Sequence, residues 1–124
     1  MRRAGERVMS VALLVFLLLG FHALCDFALQ PDVMVRGKNR FTSDPRVQPR
    51  WWWWLSAHGL VHGAAVALAL MAAGFPQLWW LGLMEAAGHA AIDDLKCAGR
   101  IGLATDQGLH YACKLAWAAA AALA

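Results

Sequence analysis

Four long apolar stretches take up most of this chain, at about 8–30, 51–73, 76–97 and 101–124. A helix over any of them would rise roughly 33–36 Å, which is enough to cross the hydrocarbon core of a bilayer. Of the 124 residues, 60% are hydrophobic and only 15% are charged, a composition too apolar for an ordinary soluble domain. The pattern predicts an all-α protein, an integral membrane four-helix bundle that forms a single transmembrane domain over 1–124.

The first stretch is also compatible with a cleaved signal peptide, because a basic start at 2–7 precedes its apolar core. No small-x-small cleavage site follows Leu19, however, and His22 and Asp26 continue a helical pattern. A retained first helix is therefore the favoured interpretation.

The segment at 31–50 has no apolar period and contains three prolines, a glycine and five Lys or Arg residues. It predicts a loop on the membrane surface, followed by an interfacial aromatic anchor in the four tryptophans at 51–54. Trp79 and Trp80 mark the opposite interface. The basic residues on the loop side are Arg36, Lys38, Arg40, Arg46, Arg50, Lys96 and Arg100. By the positive-inside rule, this excess favours cytoplasmic loops at 31–50 and 97–101 in a multi-pass protein of the cell (inner) membrane, with both termini outside.

The charge and cysteine content argue against two other classes of protein. The net charge is only +3, and the basic residues lie in loops between apolar stretches, so nucleic acid is not an expected partner. The three cysteines form no CxxC pair, which argues against a disulfide framework or a zinc ribbon.

Each of the five histidines has a histidine or an aspartate four residues away, so both members of each pair share one helix face. The pairs are His22–Asp26, His58–His62, His89–Asp93 and Asp106–His110. They lie at the ends of the first and third stretches and at the starts of the second and fourth. Because successive stretches alternate in direction, the pairs should converge in one leaflet, in a His/Asp-lined pocket near one membrane face.

Histidine and aspartate are ligands that suit zinc, iron or manganese, and facing helices can build such sites in a bundle. We expect one or two divalent ions. The expected metal ligands are His22, Asp26, His58, His62, His89, Asp93, Asp106 and His110. Gln30, Lys38 and Gln107 are expected to contact these ligands or a substrate, and Glu85 and Lys96 are candidate catalytic residues. The alternative is a polar core of hydrogen bonds and ion pairs without metal.

Several of these motifs, in chain order, resemble the domain-of-unknown-function 3307 family. They are His22-x3-Asp26-Phe-x-Leu-Gln30, Lys38, His58 with His62, His89-x2-Ile-Asp93-x2-Lys96 and Asp106-Gln107-x2-His110. The resemblance covers about Leu18 to Leu115 and implies a small polytopic membrane protein of bacteria or their phages. It implies no established activity. The tryptophans at 51–54 and Lys114 are not part of the family pattern.

Three functions follow, in order of preference. The first is a membrane-embedded, metal-dependent hydrolase, in which Arg36, Lys38, Arg40 and Lys96 hold an anionic headgroup or small-molecule substrate. A lipid chain could then enter between the helices. The second is a metal-ion or proton-handling transport protein, although the polar residues reach only about halfway across. The third is a non-catalytic phage or lysis-type membrane protein, which needs no paired histidines.

The bilayer is the expected partner in every case, and glycines on the predicted helices also allow a homo-oligomer. Those glycines are Gly20, Gly59, Gly63, Gly82 and Gly88.

Overall fold

A computed structural model describes residues 4–42, 44–46 and 50–124, which form helices and the turns between them, with no strand among them. The helices are α1 (Ala4–Ala23), which continues into a π-helical turn (Leu24–Ala28), then α2 (Asp32–Gly37), α3 (Trp51–Ala72), α4 (Leu81–Cys97) and α5 (Leu103–Leu123). The all-α prediction is confirmed. Arg2, Arg3 and the parts of the predicted loop at 43 and 47–49 lie outside the described residues.

Two boundaries differ from the sequence prediction. The third long helix begins at Leu81 rather than at 76, because Gly74 adopts a φ of 86° and Pro76–Leu78 form a 3-10 turn. A proline at the start of such a turn has its φ already fixed and gives up no hydrogen bond. The predicted surface loop at 31–50 contains the short helix α2, which begins directly after Pro31.

The four long helices pack in a ring, in which α1 and α4 each contact both α3 and α5. The closest approach is between α3 and α4, where glycines face the opposite backbone. A Cβ added to Gly59 would lie 2.7 Å from the carbonyl oxygen of Ala86, closer than real Cβ atoms approach. This spacing brings the polar faces of the two helices together.

The interior is divided into an apolar half and a polar half. The apolar core contains Leu14, Leu18, Val66, Ala69, Leu70, Ala73, Phe75, Leu81, Ala118 and Ala121. At this end Arg7 donates a hydrogen bond to the carbonyl of Ala122 (3.2 Å), so the start of α1 lies beside the end of α5. The buried polar side chains lie in the half nearer α2 and the α4–α5 turn, and they form the candidate site.

The outside of the bundle carries large exposed apolar side chains on every long helix, among them Phe16, Leu60, Leu83 and Leu115. Within the described residues, two helical segments are long and apolar enough to cross a membrane, Ala4–Ala28 and Trp51–Ala72. The other two long helices, α4 and α5, carry more charged residues than α1 and α3 in the part of each helix that lies at the site.

Candidate metal centre

The π-helical turn at the end of α1 carries Asp26 to the centre of the site. Its wider turn is closed by the N–H of Leu29, which donates to the carbonyl of Leu24 (2.9 Å). Gln30 covers the turn, since its Nε2 donates to the backbone carbonyl of Asp26 (2.8 Å). Single π-helical turns inside α-helices often occur at functional sites.

The Asp26 carboxylate is surrounded by imidazoles from three helices. The distances to its oxygens are 2.9 Å from Nε2 of His62, 3.4 Å from His58, 3.5 Å from His22 and 3.8 Å from His89. Asp26, His58, His62 and His89 can each offer one ligand atom within 4.8 Å of the others, and we call them the primary group. Three imidazoles and one carboxylate make a donor set that suits zinc.

A second cluster, the secondary group, consists of Asp93, Asp106 and His110, whose ligand atoms also lie within 4.8 Å of one another. Two lysines contact its carboxylates. Nζ of Lys38 donates to Oδ2 of Asp93 (2.5 Å), and Nζ of Lys96 lies 3.3 Å from Oδ2 of Asp106.

Glu85 lies on the far side of His89 from Asp26. Its oxygens accept hydrogen bonds from the buried ammonium of Lys114 and from Nε1 of Trp117 (2.7 Å). Nδ1 of His89 is 3.5 Å from Oε1 of Glu85, whereas Nε2 of the same ring points to Asp26 and to Nε2 of His58 (3.2 Å). Glu85, a candidate catalytic residue in the sequence, therefore lies beside Nδ1 of His89, which has no hydrogen bond to a described residue.

Gln107 connects the two groups. Its Nε2 donates to Oδ2 of Asp26 (3.0 Å) and to Oδ2 of Asp106 (3.1 Å), and its Oε1 is 3.2 Å from Nε2 of His22. His22 therefore shares its Nε2 between Asp26 and an amide, and it lies at the edge of the primary group. The structure thus brings all eight expected metal ligands into one interior.

Every lysine of the protein contacts one of the four buried or nearly buried carboxylates of the site. The pairs are Lys38–Asp93, Lys96–Asp106 and Lys114–Glu85. Among the described residues, Asp26 is the carboxylate of this set that contacts imidazoles and an amide but no lysine. Since an ionised carboxylate is costly to bury without a cation, Asp26 is the carboxylate of this set whose charge no lysine balances, and the primary group around it is the candidate position for a metal ion.

The site opens toward the loop end through a cavity of about 240 Å³. Its lining residues are Gln30, Val35, Lys38, Asn39, Asp93, Lys96 and Cys97. Arg40 lies nearby and makes a two-pronged contact with Asp94 (2.8 and 2.9 Å). Arg36, the fourth basic residue expected to hold a substrate, is exposed and lines a separate surface cavity with Asp44 and Arg46. Hydrogen bonds from Arg46 lower the pKa of Asp44 to about 2, so this part of the loop keeps both its charges at neutral pH.

Sequence reasoning assigned no role to Lys114 or Trp117, which lie three residues apart on α5. The available signal was depth, because a lysine far inside an apolar helix needs a carboxylate at the same level. In the structure that carboxylate is Glu85 on the neighbouring helix α4.

In a comparison with protein families, residues 13–123 match a family model described as a protein of unknown function (DUF3307). Neither a curated protein nor a solved structure matches the chain. The match covers α1 from residue 13 and all of α3, α4 and α5, with every residue of the primary and secondary groups. The chain belongs to the DUF3307 family.

Proposed function

We propose that this protein binds a divalent metal ion in a membrane-embedded helical bundle and uses it to hydrolyse an anionic substrate. The ion is held by the primary group, with zinc as the best match to the donors and iron or manganese as alternatives. A divalent ion in such a site supplies a Lewis acid for a phosphoryl or acyl oxygen and makes a water molecule more acidic.

The observation that supports the metal most strongly is the environment of Asp26. His58, His62 and His89 are each about 1% exposed or less at the side chain, and their Nε2 atoms face the same carboxylate. In the tautomer that leaves Nε2 without a hydrogen, each imidazole turns a lone pair toward the carboxylate, and a divalent ion between them would remove the repulsion and use all four donors. The lysines cannot supply this charge, because each contacts a different carboxylate.

The membrane setting is supported by the distribution of apolar side chains. Large apolar residues cover the outside of all four long helices, while ten polar or charged side chains in the described part of the chain are buried inside. This is the reverse of the arrangement in water-soluble bundles, and exposed apolar areas of this extent mark contact with lipid or a partner. We propose that α1, α3, α4 and α5 all cross the inner membrane, with the α2 side in the cytoplasm.

The direction of access supports an anionic substrate that arrives at the membrane surface. The cavity at the loop end is lined by Lys38 and Lys96 together with Asp93. Oδ2 of Asp93 lies 3.5 Å from Nε2 of His58 in the primary group. Arg40 and Arg36 add positive charge on the same end of the molecule. The side chains buried between the site and the opposite end include Leu14, Leu18, Val66 and Leu70, which favours an enzyme site over a transport path.

The hydrolase proposal is tested with two chromogenic substrates, p-nitrophenyl phosphate and p-nitrophenyl acetate. Protein in lipid nanodiscs is loaded with zinc, iron or manganese, and turnover is compared with that of Asp26→Asn. Asp94→Asn is the matched control, because Asp94 contacts Arg40 outside both groups. We expect turnover of one substrate by wild type and Asp94→Asn, and its loss in Asp26→Asn. Equal rates in all three proteins, or no turnover by metal-loaded protein, would contradict a hydrolase.

A further inference from the structure

The secondary group has the donors of a second cation site. Nε2 of His110 lies 3.4 Å from Oδ1 of Asp93 and 3.5 Å from Oδ1 of Asp106. The His110 side chain is buried, and neither of its ring nitrogens has a hydrogen bond to a described residue. An imidazole nitrogen aimed at two carboxylates, without hydrogen-bond geometry, is the arrangement that a shared cation would stabilise.

Two ammonium groups contact the other oxygens of the same carboxylates, and Oδ2 of Asp93 also lies 3.5 Å from Nε2 of His58 and 3.8 Å from Nε2 of His89. Lys38 contacts Oδ2 of Asp93 and Lys96 contacts Oδ2 of Asp106, whereas both Oδ1 atoms face His110. Lys38 is only 6% exposed, so its charge is held inside the protein. These two ammonium groups therefore supply part of the positive charge that a divalent ion would bring to the two carboxylates.

Lys38 has both the freedom and the space to leave Asp93. It is the residue directly after α2, which is only six residues long, and its side chain is a flexible four-carbon stem. The cavity of about 240 Å³ lies against it and also borders Gln30 and Cys97. The ammonium can therefore turn toward the loop end without unfolding a long helix.

We propose that Asp93, Asp106 and His110 form a second divalent-cation site whose affinity Lys38 holds below that of the primary group. A second ion is bound only when the Lys38 ammonium leaves Asp93. The proposal rests on the proposed function in one respect, since it takes the primary group as the tighter site. It predicts sequential binding, with the primary group filled first.

The test is a calorimetric titration, in which zinc is added to chelator-treated, full-length protein in detergent and the heat of binding is measured. Wild type should bind one zinc ion tightly and a second weakly. Lys38→Met keeps the length of the stem and removes the charge. Because a unit charge a few Å away changes a cation's affinity strongly, the second binding event should tighten by roughly tenfold to a thousandfold.

Two controls locate the effect. Arg46→Met removes the same charge from the same loop, where Arg46 contacts Asp44, and should leave both events unchanged. Adding Asp93→Asn to Lys38→Met should abolish the second event and retain the first. Lys96→Met removes a more exposed charge beside Asp106, so it should tighten the second binding event less. This variant tests the second site if Lys38→Met does not fold.

The two proposals fail differently. If wild type binds one zinc ion and both lysine variants bind one with unchanged affinity, the second site is wrong and the proposed function stands. If neither wild type nor the variants bind zinc, iron or manganese, both are wrong. Two equally tight zinc ions in wild type would overturn the role of Lys38 alone.

Discussion

Some residues of this site balance the charge of a buried neighbour, whereas others offer ligand atoms. Lys114 is 2% exposed and Glu85 is also 2% exposed, so each holds the other's charge inside the bundle. Trp117 contacts the remaining oxygen of Glu85, and His89 presents Nδ1 to the same carboxylate. Carboxylates placed behind a metal-binding histidine fix its orientation and strengthen its basicity.

Because of this arrangement, substitutions of Glu85 and Lys114 should affect stability and zinc affinity differently. Glu85→Leu leaves the Lys114 charge buried alone and should cost about 3–5 kcal/mol of stability. Adding Lys114→Met removes that charge, so unfolding in detergent should return toward wild type. Zinc affinity should stay lowered by roughly 10–100-fold in the double variant, because His89 has lost its carboxylate. Wild-type zinc affinity in the double variant would show that Glu85 does not act on the site.

At the scale of elements, the contact between α3 and α4 determines whether the primary group can assemble, because His58 and His62 lie on one helix and His89 on the other. The contact depends on the absence of side chains at the crossing. A Cβ on Gly82 would lie 2.5 Å from the carbonyl oxygen of Gly63 and 3.0 Å from the Cβ of Ala67.

Gly82→Ala should therefore separate the helices and destabilise the protein by about 1–3 kcal/mol, the usual cost of overpacking. Gly88→Ala is the matched control on the same helix, since its Cβ would meet nothing within 4 Å. That change should be neutral or stabilising by up to roughly 1 kcal/mol, because alanine is the better helix former. The comparison is made by thermal unfolding in detergent, and equal effects of the two changes would contradict the close crossing.

At the scale of the whole molecule, the sequence was sufficient to predict how many long helices form and that the histidines face one interior. The length of the apolar stretches predicted the helices, and the spacing of pairs such as His89 and Asp93 predicted the common face. The tryptophan at position 51 correctly marked the start of α3.

Other features depend on contacts between distant parts of the chain. The π-helical turn at Asp26 has no local sequence signal, since its extra residue is tolerated only with its neighbours in place. The pairing of Lys38 with Asp93 spans 55 positions and that of Lys114 with Glu85 spans 29. Composition shows that such charges need partners, but only the packed helices show which ones they contact.

The proposed orientation of the whole molecule places its α2 end in the cytoplasm. Phe41 and Gln77 are exposed in turns at opposite ends. With the native cysteines replaced, Phe41→Cys should resist a membrane-impermeant thiol reagent in intact cells, and Gln77→Cys should react. The reverse labelling pattern would show that the protein is inserted the other way.

Zinc binding at Asp26 tests the central claim most directly. Chelator-treated wild type, Asp26→Asn and Asp94→Asn are titrated with zinc, and bound zinc and melting temperature are measured together. Wild type and Asp94→Asn should bind zinc tightly and melt at a higher temperature with it. Asp26→Asn should lose affinity by more than the roughly 10–100-fold expected for a residue behind the ligands. If wild type binds no zinc, iron or manganese and its melting temperature does not change, the histidines and aspartates form a polar core without metal.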